Sequence, residues 1–142
     1  MSPHLGILKE KGFKITPLRK AMLEVFRRKQ VTLTPEELFR FIKRQIPGAG
    51  LQSVYRNLTD FSKAGITEEV IRKKRKSSYT LCNGIEDHHH HAVCRGCGKS
   101  VEVRTCDLKS IAKALDRLKA RIGFQIERHF LQLEGLCRDC QK

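Results

Sequence analysis

The chain has 142 residues and a formal net charge of +14, a length that suits one compact unit or two small lobes. It contains no run of about 18 apolar residues, so no segment is expected to span a membrane, and Met1-Ser2-Pro3-His4 lacks the basic and apolar stretches of a signal peptide. Six cysteines in what reads as a cytoplasmic protein point to metal ligands before disulfides. The charge is uneven: residues 1–84 hold 18 Lys/Arg against 7 Asp/Glu, and residues 85–142 hold 11 against 8. A basic half joined to a nearly neutral half that carries all the cysteines but one implies that one part meets nucleic acid and the other does something else. Lobes this small bury little core, so a metal ion or a partner chain is expected to complete them.

In chain order, Thr16-Pro17 is an N-cap followed by proline at the first helical position. Leu18, Met22, Val25 and Phe26 then recur at helical spacing. Thr34-Pro35-Glu36-Glu37 repeats the start signal with the spacing of a capping box, and Leu38, Phe39 and Ile42 give that helix its buried stripe. Pro47–Gly50 breaks the chain. A third helix is predicted from Gln52 to Ala64, ending at Gly65. Val54, Leu58 and Phe61 form its inner face; Gln52, Ser53, Arg56, Thr59 and Asp60 form the outer one, with Tyr55 on the flank. Ile66–Ile71 and Ser77–Leu81 alternate around the basic turn Arg72–Lys76 and predict a β-hairpin. Three helices followed by a hairpin with a basic tip describe a winged helix.

Past residue 84 the texture changes. His91–Val93 and Ser100–Arg104 predict strands, Leu108 to Ile122 an amphipathic helix stopped by Gly123, and Phe124–Glu134 one or two further strands. The expected organisation is α+β, with a winged-helix DNA-binding domain over 1–84, a hinge near Cys82–Asp87 and a small α/β domain over 85–142.

The pairs Cys94-Arg-Gly-Cys97 and Cys137-Arg-Asp-Cys140 each set two thiolates on a tight turn, as a tetrahedral structural zinc site requires. Thirty-nine residues separate the pairs, so one ion would staple the end of the chain back onto the first strand. A redox role is disfavoured because no thioredoxin-like βαβ context surrounds either pair. His88-His89-His90-His91 alternates on a strand, so His89 and His91 face one way and His88 and His90 the other. Such a run can serve two metal sites or simply lie solvated. Glu68 and Cys82 stand at the start and end of the predicted hairpin. Together with His89 and His91 they form a mixed O/S/N₂ set whose softness suits zinc.

Four segments carry a resemblance: Gly12–Arg19, Ser53–Leu58, His88–Lys99 and Gly135–Cys140. In order and spacing they are similar to the ferric uptake regulator family over about residues 10–140. The resemblance implies a homodimeric, metal-dependent repressor with an N-terminal winged helix and a C-terminal dimerisation domain. It implies structural zinc on Cys94, Cys97, Cys137 and Cys140, and a regulatory metal at the hinge on Glu68, Cys82, His89 and His91. Iron and peroxide sensors of the family carry a hinge histidine where this chain has Thr32. The zinc uptake regulators carry a cysteine at the place of Cys82 and an acidic residue fourteen positions earlier, here Glu68, so the regulatory ion is expected to be zinc, with iron(II) or manganese(II) as alternatives. A third metal site of the family would use His88, His90 and His129 with a glutamate where this chain has Lys109; Glu102 and Asp107 stand as substitutes. Cys106 is left over and reads as a half-buried structural thiol.

By the same resemblance Tyr55 and Arg56 match recognition-helix positions, Arg56 suited to a guanine and Tyr55 to a thymine methyl. Ser53 shares that surface, and Lys14 and Arg19 match basic positions near phosphates or the minor groove. The expected partner is an inverted-repeat, double-stranded operator controlling metal-uptake genes. An iron- or peroxide-sensing regulator is the nearest alternative, and a zinc-ribbon scaffold is a remoter one. A zinc deaminase is disfavoured because His-x-Glu and Pro-Cys-x-x-Cys are both missing, and no catalytic residues are expected.

Overall fold

The computed structural model describes residues 2–72, 76–83, 89–103, 109–127 and 129–142. The helices of the N-terminal half are α1 (Pro3–Glu10), α2 (Pro17–Lys29), α3 (Pro35–Gln45) and α4 (Leu51–Lys63). The starts of α2 and α3 have a local cause. Thr16 accepts a hydrogen bond from the Arg19 N–H, and Thr34 and Glu37 close a reciprocal capping box, which satisfies N–H groups that a helix end leaves open. Pro17 and Pro35 occupy first-turn positions that need no donor. Gln30 ends α2 in the left-handed region at φ 51°.

One apolar cluster joins these helices. Met22 and Phe26 of α2, Leu38 and Ile42 of α3, and Val54, Leu58 and Phe61 of α4 are all essentially inaccessible to solvent. Helix α1 was not expected from the sequence. It seats Leu8 in the same core, but a short helix with one fully buried side chain leaves little periodic signal.

Strands β1 (Thr67–Arg72) and β2 (Lys76–Leu81) pair antiparallel, with Glu68 opposite Thr80. A three-stranded sheet of order β4-β3-β5 follows, formed by β3 (His90–Cys94), β4 (Ser100–Val103) and β5 (Gln132–Gly135). Strand β3 runs antiparallel to β4 and parallel to β5. Helix α5 (Lys109–Ile122) connects the two edges, and a 3-10 turn over Arg138–Gln141 closes the chain. Gly123, at φ 63°, ends α5 as expected. The strands expected within Phe124–Glu134 reduce to β5, and 124–127 and 129–131 adopt no regular structure. A strand needs a neighbouring edge to take up its backbone groups, and within this segment the pairing with β3 begins at Gln132.

The connection between α2 and α3 joins the two sheets. Leu33 exchanges both backbone hydrogen bonds with Tyr79 of β2, at 2.9 and 2.8 Å, while Val31 bridges to Lys99. No helix among the described residues is long and apolar enough to cross a membrane.

Replacing Thr34 by alanine removes the side-chain acceptor of the capping box and is expected to cost about 1 kcal/mol. Denaturant unfolding of the zinc-loaded protein checks this, and an unchanged midpoint would contradict it.

Candidate metal centres and the DNA-facing helix

Strand β3 ends at Cys94, and the turn after it is tied twice: the Gly98 N–H donates to the Cys94 carbonyl at 2.9 Å, and the Cys94 N–H to Lys99 at 2.8 Å. Cys97 therefore points back beside Cys94. On the other edge the Arg95 N–H donates to the Gly135 carbonyl at 2.8 Å, which delivers Cys137 and the 3-10 turn carrying Cys140. All four sulfurs lie within 4.8 Å of one another, and Cys97 and Cys137 are 3.7 Å apart. Tetrahedral zinc–thiolate bonds of about 2.3 Å place sulfurs about 3.8 Å apart, whereas a disulfide needs about 2 Å. The donor set and its spacing fit zinc. Glycine is required at 96, because a Cβ there would lie 2.9 Å from the Cys140 sulfur.

The thiols are unequal. Backbone N–H groups of Cys137, Cys97 and Gly96 lower the Cys94 pKa to about 6. Cys140 is pushed up to about 12 by hydrogen bonds with the Cys137, Cys94 and Cys97 sulfurs. The quartet accepts a first negative charge readily and resists the last, so a divalent cation is the natural counter-charge.

The second cluster lies between the halves. The Cys82 N–H donates to the Ile66 carbonyl at 2.8 Å, which continues the β1–β2 ladder by one residue and sets Cys82 on the same face as Glu68. From β3, His91 places Nε2 2.9 Å from a Glu68 oxygen and 3.8 Å from the Cys82 sulfur. His89 Nε2 lies 3.6 Å from the same carboxylate. These four ligand atoms also fall within 4.8 Å of one another. His91 and Cys82 are buried, and Ser100 Oγ lies 3.4 Å from the other ring nitrogen of His91, a contact of the kind that fixes a ligand's orientation. The hydrogen bond from His91 holds the Glu68 carboxyl below its usual range. Burial, helped by the charges of Glu68 and Glu102, pushes the Cys82 thiol up to about 12. Without a cation this cysteine is a neutral thiol.

The third set falls only in part among the described residues. His90 and His129 stack with ring centroids 5.3 Å apart. His88, Asp107 and also Cys106 lie outside the described residues. Glu102 does not join His90, because it sits directly opposite His91 in the β3–β4 pairing and directly paired residues share a face. Its carboxylate is 3.9 Å from His89 Nε2 and accepts the Asn83 N–H at 2.5 Å. Glu102 is thus a fifth donor beside the Glu68–Cys82–His89–His91 cluster, and sequence reasoning could have found it only through the strand register. Lys109 opens α5.

On α4, Tyr55 and Arg56 are exposed and Ser53 is half-buried; Lys14 is also exposed. The Tyr55 hydroxyl donates to Glu36 at 2.5 Å. Arg19 is placed otherwise than expected for a phosphate contact. Its Nε donates to Asn57 at 2.7 Å, Nη1 to the Lys14 carbonyl and Nη2 to Asp60, both at 2.6 Å. With its side chain only 12% exposed, Arg19 pins α4 against α2. Arg72 also turns inward, and residues 73–75 of the basic tip lie outside the described residues.

A sequence profile of the ferric uptake regulator family matches residues 10–134. The Bacillus subtilis peroxide operon regulator is 30% identical over 97% of this chain and 91% of its own length. The Neisseria gonorrhoeae ferric uptake regulation protein is 32% identical over 97% and 93%. Among solved structures, a zinc uptake regulator complexed with zinc and DNA superposes with a TM-score of 0.74 at 21% identity, covering 96% of this chain and 89% of that one. At that identity the likeness concerns the fold.

The buried Cys82 thiol must lose its proton to become a ligand, so raising the pH favours metal binding. In competition titrations against a zinc-buffering chelator, the wild-type affinity is expected to rise with pH by about tenfold per unit more than that of Cys82→Ala. Equal slopes would contradict the assignment of this thiol.

Proposed function

The chain belongs to the ferric uptake regulator family, and on that premise we propose that it is a zinc-sensing, DNA-binding repressor of metal-uptake genes, acting in the cytoplasm as a homodimer on an inverted-repeat operator. The observation that carries the zinc reading is the Cys82 sulfur within 4.8 Å of two imidazole nitrogens and a Glu68 carboxylate oxygen. A thiolate with imidazoles favours zinc over harder cations. The metals and stimuli in the relatives' names differ, so the donor atoms decide between them.

The division of labour follows residues 1–84 and 85–142. The first part presents Tyr55 and Arg56 on α4, amid a surplus of basic residues, to the major groove. The second supplies the dimer contact. Its large exposed hydrophobics include Val101, Leu118, Ile122, Phe124, Leu133 and Leu136, an amount of apolar surface that calls for a second copy.

A metal ion bound at the hinge supplies a single positive charge centre shared by both parts. Glu68 and Cys82 hold the side of the β1–β2 hairpin, and His89 and His91 hold the side of β3. Any arrangement in which the two parts separate loses about half of these ligands, so binding shifts the population towards the closed form. Two closed protomers present two copies of α4 at a fixed separation, which is what an inverted repeat reads. Cys94, Cys97, Cys137 and Cys140 serve as a permanent staple and are not ligands of the switching ion.

An iron-responsive reading of the same fold is favoured by one observation: Glu102 adds a second carboxylate beside His89, and hard oxygen donors suit iron(II) and manganese(II) better than they suit zinc. Operator binding by wild type and Cys82→Ala, titrated with buffered zinc, iron(II) and manganese(II), separates the two. Zinc is expected to activate the wild type at the lowest free concentration, and Cys82→Ala to need at least about tenfold more. Activation by iron(II) with indifference to zinc would overturn the zinc reading.

A further inference from the structure

The hinge ligands are close together in a structure whose two halves are also fastened to each other away from those ligands, around Thr32. Thr32, in the α2–α3 connection, is 1% exposed. Its backbone N–H donates to the Gly98 carbonyl at 2.8 Å, and its hydroxyl donates to the same oxygen at 3.1 Å. Both lone pairs of one carbonyl are therefore used by one residue from the other half of the chain. Gly98 ends the turn that carries Cys94 and Cys97. It has φ +78°, and a Cβ there would lie 3.2 Å from the Thr32 hydroxyl and 3.3 Å from the Arg72 guanidinium. Arg72 Nη1 donates to the Thr32 carbonyl at 3.2 Å and to Glu37 at 3.0 Å, and the same Glu37 oxygen accepts the Thr34 N–H at 2.8 Å. The zinc turn, the α2–α3 connection, the start of α3 and the tip end of β1 are thus joined around one buried threonine.

We propose that Thr32, Gly98 and Arg72 form a metal-independent clasp that positions the hinge: it ties the zinc turn to the N-terminal half and so presets Glu68 and Cys82 opposite His89 and His91. The proposal rests on the reading of those four residues as the regulatory site and adds what sets its sensitivity. β3 runs from His90 and His91 to Cys94, a few residues from Gly98, so a turn held at one end fixes the histidines at the other. A protein already closed loses less freedom when it binds metal, and its affinity is correspondingly higher. The clasp also makes the Cys94–Cys97 turn a mechanical support of the switch as well as a staple of its own sheet. Thr32, Gly98 and Arg72 are positioning residues; none of them is a ligand.

The test uses full-length protein with the four-cysteine site loaded, and has two readouts. The first is hydrogen exchange at the Thr32 amide before hinge metal is added. Slow exchange is expected, and exchange at the rate of an open chain would overturn the clasp whatever the hinge binds. The second is zinc affinity at the hinge by chelator competition. Thr32→Val keeps the backbone bond and removes the hydroxyl, so affinity is expected to fall about fivefold. Thr32→Ser restores the hydroxyl and the affinity, and Arg72→Gln weakens binding without touching a ligand. A wild-type affinity in both Thr32→Val and Arg72→Gln would overturn the positioning role. Should Cys82→Ala bind zinc like the wild type while the Thr32 amide stays protected and Thr32→Val and Arg72→Gln still weaken binding, the choice of regulatory ligands fails and the clasp stands.

Discussion

Among the described residues the C-terminal half buries almost no apolar side chain of its own, and four sulfurs take the place of a core. The cluster of buried side chains that holds the molecule together runs from Leu8 to Ile66. Past residue 85 the buried side chains among the described residues are His90, His91, Val93 and Cys94. A three-stranded sheet with so little beneath it does not hold a parallel pairing by itself. The pairing of β3 with β5 is secured at its end by Cys94 and Cys97 on one strand's exit and Cys137 and Cys140 on the other's. A zinc ion shared by them contributes binding energy directly to folding. Everything the histidines of β3 do depends on that sheet being fixed.

The two metal centres share a chain segment and differ in what they join. The four-cysteine site links parts of one half, with donors of a single kind. The hinge cluster brings together a carboxylate, a thiol and two imidazoles from the two halves, and burial pushes its cysteine thiol up. His91 lies on the strand that the cysteines anchor and His89 just before it, while Glu68 and Cys82 lie on the hairpin that follows α4. The hinge cluster is thus joined through the β1–β2 hairpin to α4, the helix that carries Tyr55 and Arg56. Arg19 serves the same path from the other side, because its guanidinium bonds to Asn57 and Asp60 fix α4 on α2.

The parts visible in the sequence were those written in local spacing. Val54, Leu58 and Phe61 mark an inner face at helical period, Thr34 and Glu37 mark a capping box, and the two Cys-x-x-Cys pairs announce a tetrahedral site. Alternation alone separated His89 and His91 from His90. What stayed hidden depends on partners far along the chain. Arg19 carries the signature of a DNA contact, and its inward role is decided by residues nearly forty positions later. Glu102 looked like a partner of His90 until the β3–β4 register set it opposite His91. Thr32 looked like the mere loss of a ligand, whereas both its N–H and its hydroxyl are committed to Gly98. Helix α1 was missed because one buried leucine carries no period, and of the strands expected after Phe124 only β5 pairs with β3.

The central claim is that a sulfur from Cys82 binds the regulatory ion together with the β3 histidines. X-ray absorption at the cobalt edge tests it most directly, with zinc retained on the four cysteines and cobalt(II) added to the hinge. The account predicts one sulfur neighbour at about 2.3 Å among nitrogen and oxygen neighbours at about 2.0–2.2 Å, by analogy with zinc, and loss of the sulfur contribution in Cys82→Ala. A shell of nitrogen and oxygen alone in the wild type would contradict it.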